Sequence, residues 1–182
     1  MKEKILATMA EKIEAYGLRK FTIDEIAKDL KISKKTVYKH FASKNIMIQE
    51  YFETVIQTDK ENTLKALEMD CSLIDKLSAV VYAYHKYKIP VRILDETSTF
   101  FPNEWKKIED LKRFKLTALE NILNEGINKG IIRSDIHLSV ISLILETTSE
   151  AFLNSKFLNK NDLTFKQSTN EVLSILLNGI SK

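Results

Sequence analysis

Cysteine, proline and glycine are scarce in this chain of 182 residues, which contains one Cys, two Pro and four Gly. Because glycine and proline both interrupt helices, their scarcity favours a helical protein. The single cysteine, Cys71, excludes an intrachain disulfide and a cysteine-based zinc site, and it fits a reducing compartment. These shortages predict a helical chain whose function does not depend on thiol chemistry.

Long apolar runs and strand-like patterns are also missing. No stretch approaches the ~20 apolar residues that a membrane helix needs, and the N-terminus lacks the apolar run of a signal peptide. Wherever a hydrophobic pattern exists, its period is 3.6 residues, and no segment alternates as a strand does. The sequence therefore predicts an all-α fold and a cytoplasmic protein.

Nothing in the sequence assembles the groups that catalysis or metal binding requires. The histidines His40, His85 and His137 stand apart from other ligand-type residues. Asp95 and Glu96 form a neighbouring carboxylate pair, but charges scattered along helices produce such pairs by chance. No nucleophile, base and orienting group occur in a recognisable order. We therefore expect no enzymatic activity, no cofactor and no metal.

Positive charge is concentrated near the N-terminus. Residues 1–50 carry eleven Lys or Arg against seven Asp or Glu, whereas the rest of the chain is nearly neutral. Six lysines but only one acid, Asp29, lie between Lys28 and Lys44. Such a patch beside a neutral body is the electrostatic pattern of a phosphate-binding module.

Two short helices are predicted between Thr22 and Lys44. Thr22 and Glu25 have the spacing of a capping box, in which a hydroxyl and a carboxylate each satisfy an amide at a helix start. Ser33 offers a second N-cap, and a third helix is predicted to begin at Ser43. Two capped short helices, a tight turn and a third helix are typical of a helix-turn-helix DNA-binding unit.

The second of these helices, from about Ser33 to His40, keeps Val37 and Phe41 for packing and leaves polar and basic side chains outward. Amines, a hydroxyl, a phenol and an imidazole suit a DNA groove. The alternative is that a lysine-rich surface helix is only a solvated face. The candidate DNA-binding residues are Thr22, Lys34, Lys35, Thr36, Tyr38, Lys39, His40 and Lys44.

This segment resembles the DNA-binding domain of the tetracycline-repressor-like (TetR) family of bacterial transcriptional regulators. The family pattern T-x-x-x-I-A followed by G-V-S-x-x-T-x-Y-x-x-F-x-x-K is matched in order and spacing. The matching residues are Phe21-Thr22, Ile26-Ala27, Ile32-Ser33, Thr36-Val37-Tyr38, His40-Phe41 and Lys44. The resemblance implies that Lys44 contacts a DNA phosphate. Two positions depart from it: Lys31 replaces a turn glycine, at a cost of about 1 kcal/mol if its backbone is left-handed, and Lys35 replaces a small residue.

Domain limits follow from these patterns. A helix from Lys2 to Tyr16, with an apolar stripe ending at Tyr16, is predicted to pack across the helix-turn-helix. We expect a DNA-binding domain at residues 1–47 and a helical effector-binding and dimerisation domain at residues 48–182. The long helix from Ser43 connects them, and about nine helices are expected in all.

A small-molecule site is predicted where Pro90 and Pro102 interrupt the helices, because aromatic residues are concentrated there and ligand pockets are mostly apolar. The alternative is that aromatics at helical spacing are ordinary core. Asn103 and either Ser134 or Asp135 are predicted to cap the following helices. The candidate ligand-binding residues are Tyr82, His85, Phe100, Phe101 and Trp105.

Helices at about 136–155 and 164–180 are too apolar for a solvent-exposed surface, so a second copy of the chain is expected to cover them. The alternative is that they only close the core of one chain. The resemblance also implies a homodimer. Together these features predict a sequence-specific DNA-binding transcriptional regulator, a homodimeric repressor that reads a palindromic operator and responds to an unidentified small molecule. A helical interaction or ligand-carrier protein without specific DNA binding is the alternative, and a helical enzyme is a third possibility.

Overall fold

The computed structural model describes residues 1–81, 92–153 and 155–180. Ten α-helices and no β-strand occur in these ranges, which confirms the all-α class. The helices are α1 (Lys2–Tyr16), α2 (Ile23–Asp29), α3 (Lys34–Tyr38), α4 (Lys44–Glu68), α5 (Leu73–Val81), α6 (Arg92–Phe100), α7 (Pro102–Asn128), α8 (Leu138–Leu153), α9 (Ser155–Lys160) and α10 (Phe165–Ile180). They divide between two compact units.

The first unit contains α1, α2 and α3, α4 as far as Asp59, α6, and α7 as far as Asp110. Helix α1 packs on α2, and α2 packs on α3. Apolar side chains at helical spacing on α1 to α4 and α6 build a buried core, which packs the three N-terminal helices together. The core includes Ile5, Met9, Ile13, Leu18, Phe21, Ile26, Val37, Phe41, Met47, Tyr51, Phe52 and Ile93.

The local predictions for this unit agree closely with the structure. Helix α1 has the predicted limits, although Tyr16 is exposed rather than part of the buried stripe. Its ring lies 5.9 Å from the ammonium of Lys12, which pairs with Asp29 of α2 at 2.6 Å. Lys31 has φ 53°, as expected where it replaces a turn glycine. Helix α3 ends at Tyr38, two residues earlier than predicted.

The second unit contains α4 from Lys60, α5, α7 from Leu111, and α8 to α10. Helix α10 packs against both α8 and α5, and α9 packs against α8. Because the shared interior is almost entirely aliphatic, its stability comes from burial and packing rather than from polar contacts. The buried cluster is Ala66, Leu77, Val80, Ala118, Leu119, Ile122, Leu123, Ile132, Ile141, Leu145, Leu173 and Leu177.

Two predicted helix starts were wrong. Asn103 lies inside α7 rather than capping it, because Pro102 is the first residue of the helix, where a missing amide costs nothing. Neither Ser134 nor Asp135 caps α8, which begins at Leu138. The carboxylate of Asp135 instead accepts two hydrogen bonds of 2.6 Å from Arg133, and these lower its pKa to about 2.

The predicted domain limits, 1–47 and 48–182, stay a prediction. The compact unit that contains the N-terminal helices also includes α6 and the start of α7, which the sequence had assigned to the second domain. Within the described ranges, no helix combines the length and apolarity needed to cross a bilayer.

Candidate DNA interface

Helix α2 begins with the capping box expected from the sequence. The Thr22 hydroxyl accepts a hydrogen bond from the Glu25 amide at 3.2 Å, and Glu25 Oε2 accepts one from the Thr22 amide at 2.7 Å. The Thr22 hydroxyl also donates to Glu25 Oε2 at 2.9 Å. The backbone and side-chain bonds from Thr22 hold the pKa of Glu25 below its ordinary value. The box fixes the direction in which α2 leaves the preceding turn.

Replacing Thr22 by alanine should lower the free energy of unfolding by about 1 kcal/mol, because the Glu25 amide loses its cap. Thr22→Ser keeps the hydroxyl and should stay close to wild type. A carboxylate with a lowered pKa contributes stability that is present above its ordinary pKa and is lost as the pH falls through the lowered value. Urea unfolding should therefore show a Thr22→Ala effect that shrinks in acid; an effect that grows there would contradict this role.

Helix α3 is short, and its polar side chains lie on its outer side. The Ser33 hydroxyl accepts from the Thr36 amide at 3.1 Å and lies 2.9 Å from the Thr36 hydroxyl. Val37 is fully buried, so it anchors the helix from below. Tyr38 is 51% exposed, which leaves its phenol available to a partner.

The basic residues of this helix differ in their surroundings. Lys34 pairs with Asp24 of α2 at 2.5 Å, so its charge is partly neutralised in the free protein. Lys35, Lys39 and His40 are exposed on the helix and just beyond its end. Five of the predicted residues, Lys34, Lys35, Tyr38, Lys39 and His40, are therefore exposed within one short segment, and amines of this kind suit phosphate oxygens.

Lys44 lies apart from the candidate residues of the α3 segment, because its side chain points to the turn between α1 and α2. Its ammonium donates to the carbonyl of Arg19 at 2.8 Å and to that of Phe21 at 2.6 Å, and it lies 4.0 Å from the centroid of the Phe21 ring. Burial lowers the pKa of Lys44, an effect that the carboxylates of Glu25 and Glu96 oppose. The phosphate contact implied by the resemblance stays a prediction.

Three of the five predicted ligand-binding residues, Phe100, Phe101 and Trp105, lie where α6 ends and α7 begins. Tyr82 and His85 lie outside the described residues. Phe100 is half exposed, and the guanidinium of Arg19 lies 4.1 Å from its ring centroid, so this ring contacts the turn that precedes α2. Phe101 and Trp105 are partly buried at the end of α6 and the start of α7. Their role in binding an effector stays a prediction.

A groove in the first unit involves none of these aromatic residues. It has a volume of about 470 Å³ between α4 and α7. The residues that line it are all polar or charged: Gln49, Glu50, Glu53, Asn103, Glu104 and Lys107. Two of its carboxylates are already paired, Glu50 with Lys2 and Glu53 with Lys107. In the part of the chain that the structure describes, no group of three or more His, Cys, Asp or Glu side chains is arranged to hold a metal ion.

Sequence reasoning missed two contacts that α6 makes with the turn before α2. Arg19 lies over Phe100, and the Glu96 carboxylate accepts a hydrogen bond from the Leu18 amide at 3.0 Å. Glu96 is separated from Leu18 by 78 residues, so no local spacing reveals the contact. The local signal at this turn is Gly17, which follows the last residue of α1 and has φ 90°.

Known proteins share both the sequence pattern and the fold. Residues 5–51 match the family model described as bacterial regulatory proteins of the TetR family. The HTH-type transcriptional repressor KstR2 of Mycobacterium tuberculosis is 23% identical to this chain and aligns with 98% of it and 92% of its own length.

Among solved structures, a putative regulator from Saccharomonospora viridis in complex with choline has a TM-score of 0.80 at 16% identity and covers 100% of this chain and 97% of its own. The regulator FadR from Bacillus subtilis in complex with stearoyl-CoA has a TM-score of 0.67 at 18% identity and covers 99% of this chain and all of its own. Identities this low establish a common fold. With the capped helix-turn-helix and the full-length relative, they support a DNA-binding transcriptional regulator whose residues 5–51 belong to the TetR family.

Proposed function

We propose that the protein is a homodimeric repressor that reads a palindromic operator through α3 and releases it when a small molecule binds. DNA is its target and the cytoplasm of a bacterial cell is its place of action. The candidate contacts on each half-site are Thr22, Lys34, Lys35, Thr36, Tyr38, Lys39, His40 and Lys44. Lysine and the hydroxyl side chains suit phosphate oxygens, and the side chains of α3 suit base edges.

The proposal of a dimer rests on an exposed, mainly apolar face of α8. Val140, Leu143, Ile144 and Thr147 are exposed at i, i+3, i+4 and i+7 of α8, which places them on one face of that helix. Leu143 is 60% exposed, whereas Ile141 and Leu145 on the opposite side are buried in the core of the unit. A continuous apolar stripe on a charged protein marks an interaction surface. We propose that a second copy of α8 and α10 covers it.

The neighbouring helix α10 contributes a more polar surface with one prominent apolar residue. Ile175 is 72% exposed, while Leu173 and Leu177 are buried in the core of the unit. Interfaces combine an apolar centre with a polar rim, so the stripe on α8 suits the centre and the outer face of α10 suits the surrounding contacts. This assignment agrees with the predicted dimer helices at about 136–155 and 164–180.

A dimer with a two-fold axis presents two copies of α3 to the same face of DNA. Helix-turn-helix dimers read half-sites about 34–36 Å apart or a multiple of that distance. Identical subunits related by a two-fold axis require a palindromic operator, because each subunit reads the same bases on opposite strands.

The response to a small molecule is a claim about coupling between two sites. Binding of an effector and of the operator should weaken each other by the same factor, about 5–150-fold for typical coupling energies. Stearoyl-CoA and choline are suitable first probes, because each is bound to a protein that shares this fold. Titration calorimetry of each probe, with and without operator duplex, would measure both sides of the coupling. A probe that binds equally well with and without the operator duplex is not an effector. If every ligand that binds the protein does so with the same affinity in the presence of operator, the proposal is contradicted.

A further inference from the structure

Glu96 of α6 contacts the turn between α1 and α2 within the first unit. Its Oε2 accepts the hydrogen bond from the Leu18 amide at 3.0 Å. Its Oε1 lies where residue 17 would carry a side chain, because a Cβ built on Gly17 would be only 2.5 Å from it. Gly17 also has φ 90°, a backbone conformation that favours glycine. The turn is therefore shaped to admit this carboxylate.

The same turn is held from α4 by Lys44. Its ammonium donates to two carbonyls of the turn, those of Arg19 and Phe21, at 2.8 and 2.6 Å. The amide of Leu18 and these carbonyls thus bond to side chains of opposite charge from two different helices. The side chains of Leu18 and Phe21 are buried beneath, so the turn is fixed by apolar packing as well as by charge-assisted hydrogen bonds.

The position of this turn determines where α3 lies. Phe21 immediately precedes Thr22, the N-cap of α2, and α2 packs on α3. A shift of the turn would therefore move α2 at its capped end and carry α3 with it. Glu96 belongs to α6, which is outside the helix-turn-helix, and its carboxylate bonds to the turn.

We propose that Glu96 is a positioning residue for DNA binding: with Lys44 it holds the turn between α1 and α2 so that α3 is presented to the groove in one arrangement. The inference rests on the proposed reading of DNA by α3. Without the carboxylate, the turn samples more conformations. DNA binding then has to order the turn, and the entropy lost in doing so lowers the affinity. Since Glu96 does not contact phosphate, its loss leaves the number of released counterions unchanged.

The test compares Glu96→Ala, Glu96→Gln and Asp95→Ala in the full chain. Asp95 is exposed and adjacent on α6, so Asp95→Ala makes the same change of charge without touching the turn. The probe is a duplex selected by the wild-type protein from a random library. Glu96→Ala should weaken its binding about tenfold, the loss expected for a hydrogen bond to a charged group. Glu96→Gln should recover most of the affinity, because its amide oxygen accepts the Leu18 amide hydrogen. Asp95→Ala should bind as wild type does.

Two further measurements separate positioning from general stability. The Leu18 amide should exchange its hydrogen faster in Glu96→Ala but not in Asp95→Ala. The slope of log affinity against log salt should match wild type in both. If Glu96→Ala binds the duplex as wild type does, or loses affinity only in proportion to its unfolded fraction, the role of Glu96 is refuted. If the wild-type protein selects no duplex at all, the proposed DNA reading fails instead.

Gly17→Ala provides a second route to the same answer. The alanine Cβ should displace the Glu96 carboxylate and weaken DNA binding in the wild-type background. In the Glu96→Ala background the displaced group is absent, so the same substitution should cost less affinity; the backbone strain at residue 17 is present in both backgrounds and cancels. Equal losses in the two backgrounds would contradict the positioning role.

Discussion

Replacing Lys35 and Lys39 together by alanine should weaken DNA binding about a thousandfold at ~0.15 M salt. Both ammonium groups are exposed on the α3 segment, whereas Lys34 is already paired with Asp24. Log affinity falls with log salt by about 0.9 for each neutralised phosphate, so one contact contributes roughly fivefold at this salt concentration. A dimer presents four such amines. Because the affinity factors of the four contacts multiply, losing all four gives the thousandfold reduction.

Fluorescence anisotropy with a selected duplex at several salt concentrations measures this effect. The slope of log affinity against log salt should become shallower by about 3.6 in the double variant. The matched control is Lys65→Ala with Lys106→Ala, two exposed lysines on other helices, which should leave the slope unchanged. An unchanged slope in the Lys35 and Lys39 variant would refute the placement of α3 on the phosphates.

The same titration decides between two roles for Lys44. If its ammonium contacts a phosphate in the complex, Lys44→Ala should lower the slope by about one unit for each head. If it serves only the carbonyls of Arg19 and Phe21, affinity should fall without a change of slope. The two outcomes are distinct because counterion release depends on phosphate contacts alone.

Leu143→Glu should convert the dimer into monomers and reduce operator binding by about a hundredfold or more, because the second head then loses its high effective concentration. Leu143 is the most exposed of the three apolar residues in the α8 stripe. In a two-fold interface each substitution acts twice, and it buries two carboxylates among apolar side chains without partners. Such a change opposes association and leaves the core of each chain intact.

Sedimentation at several protein concentrations measures the dissociation, and anisotropy measures the accompanying loss of DNA binding. Leu64→Glu is the control, since Leu64 is a similarly exposed leucine outside the stripe; it should remain dimeric. If Leu143→Glu stays dimeric, the subunits associate through another surface. If it becomes monomeric but keeps wild-type affinity for a palindromic duplex, the proposed two-headed reading is wrong.

The sequence predicted the features that depend on neighbouring residues. The capping box of Thr22 and Glu25, the Ser33 cap and the left-handed Lys31 all follow from chemistry within four positions, and the structure contains each of them. The helix-turn-helix was recognisable for the same reason. Helices α2 and α3 are short, and single residues encode their starts and the turn between them.

Contacts between distant residues were beyond the reach of such patterns. The bond between Glu96 and Leu18 depends on how α6 packs beside the first three helices, and nothing in either local sequence encodes it. Lys44 matched the family pattern, but its carbonyl partners appear only in three dimensions. The start of α8 was misplaced because Asp135 has a nearer partner in Arg133, a competition that a capping rule does not weigh.

The apolar stripe on α8 also bears on how much protein a cell must make. If two chains have to meet before either head reads DNA, the concentration of the active form at low expression follows the square of the chain concentration. Halving synthesis would then leave about a quarter of the dimers, so repression would respond to expression level more steeply than in a monomeric regulator. Four exposed side chains on one helix would thus give the regulated genes a threshold.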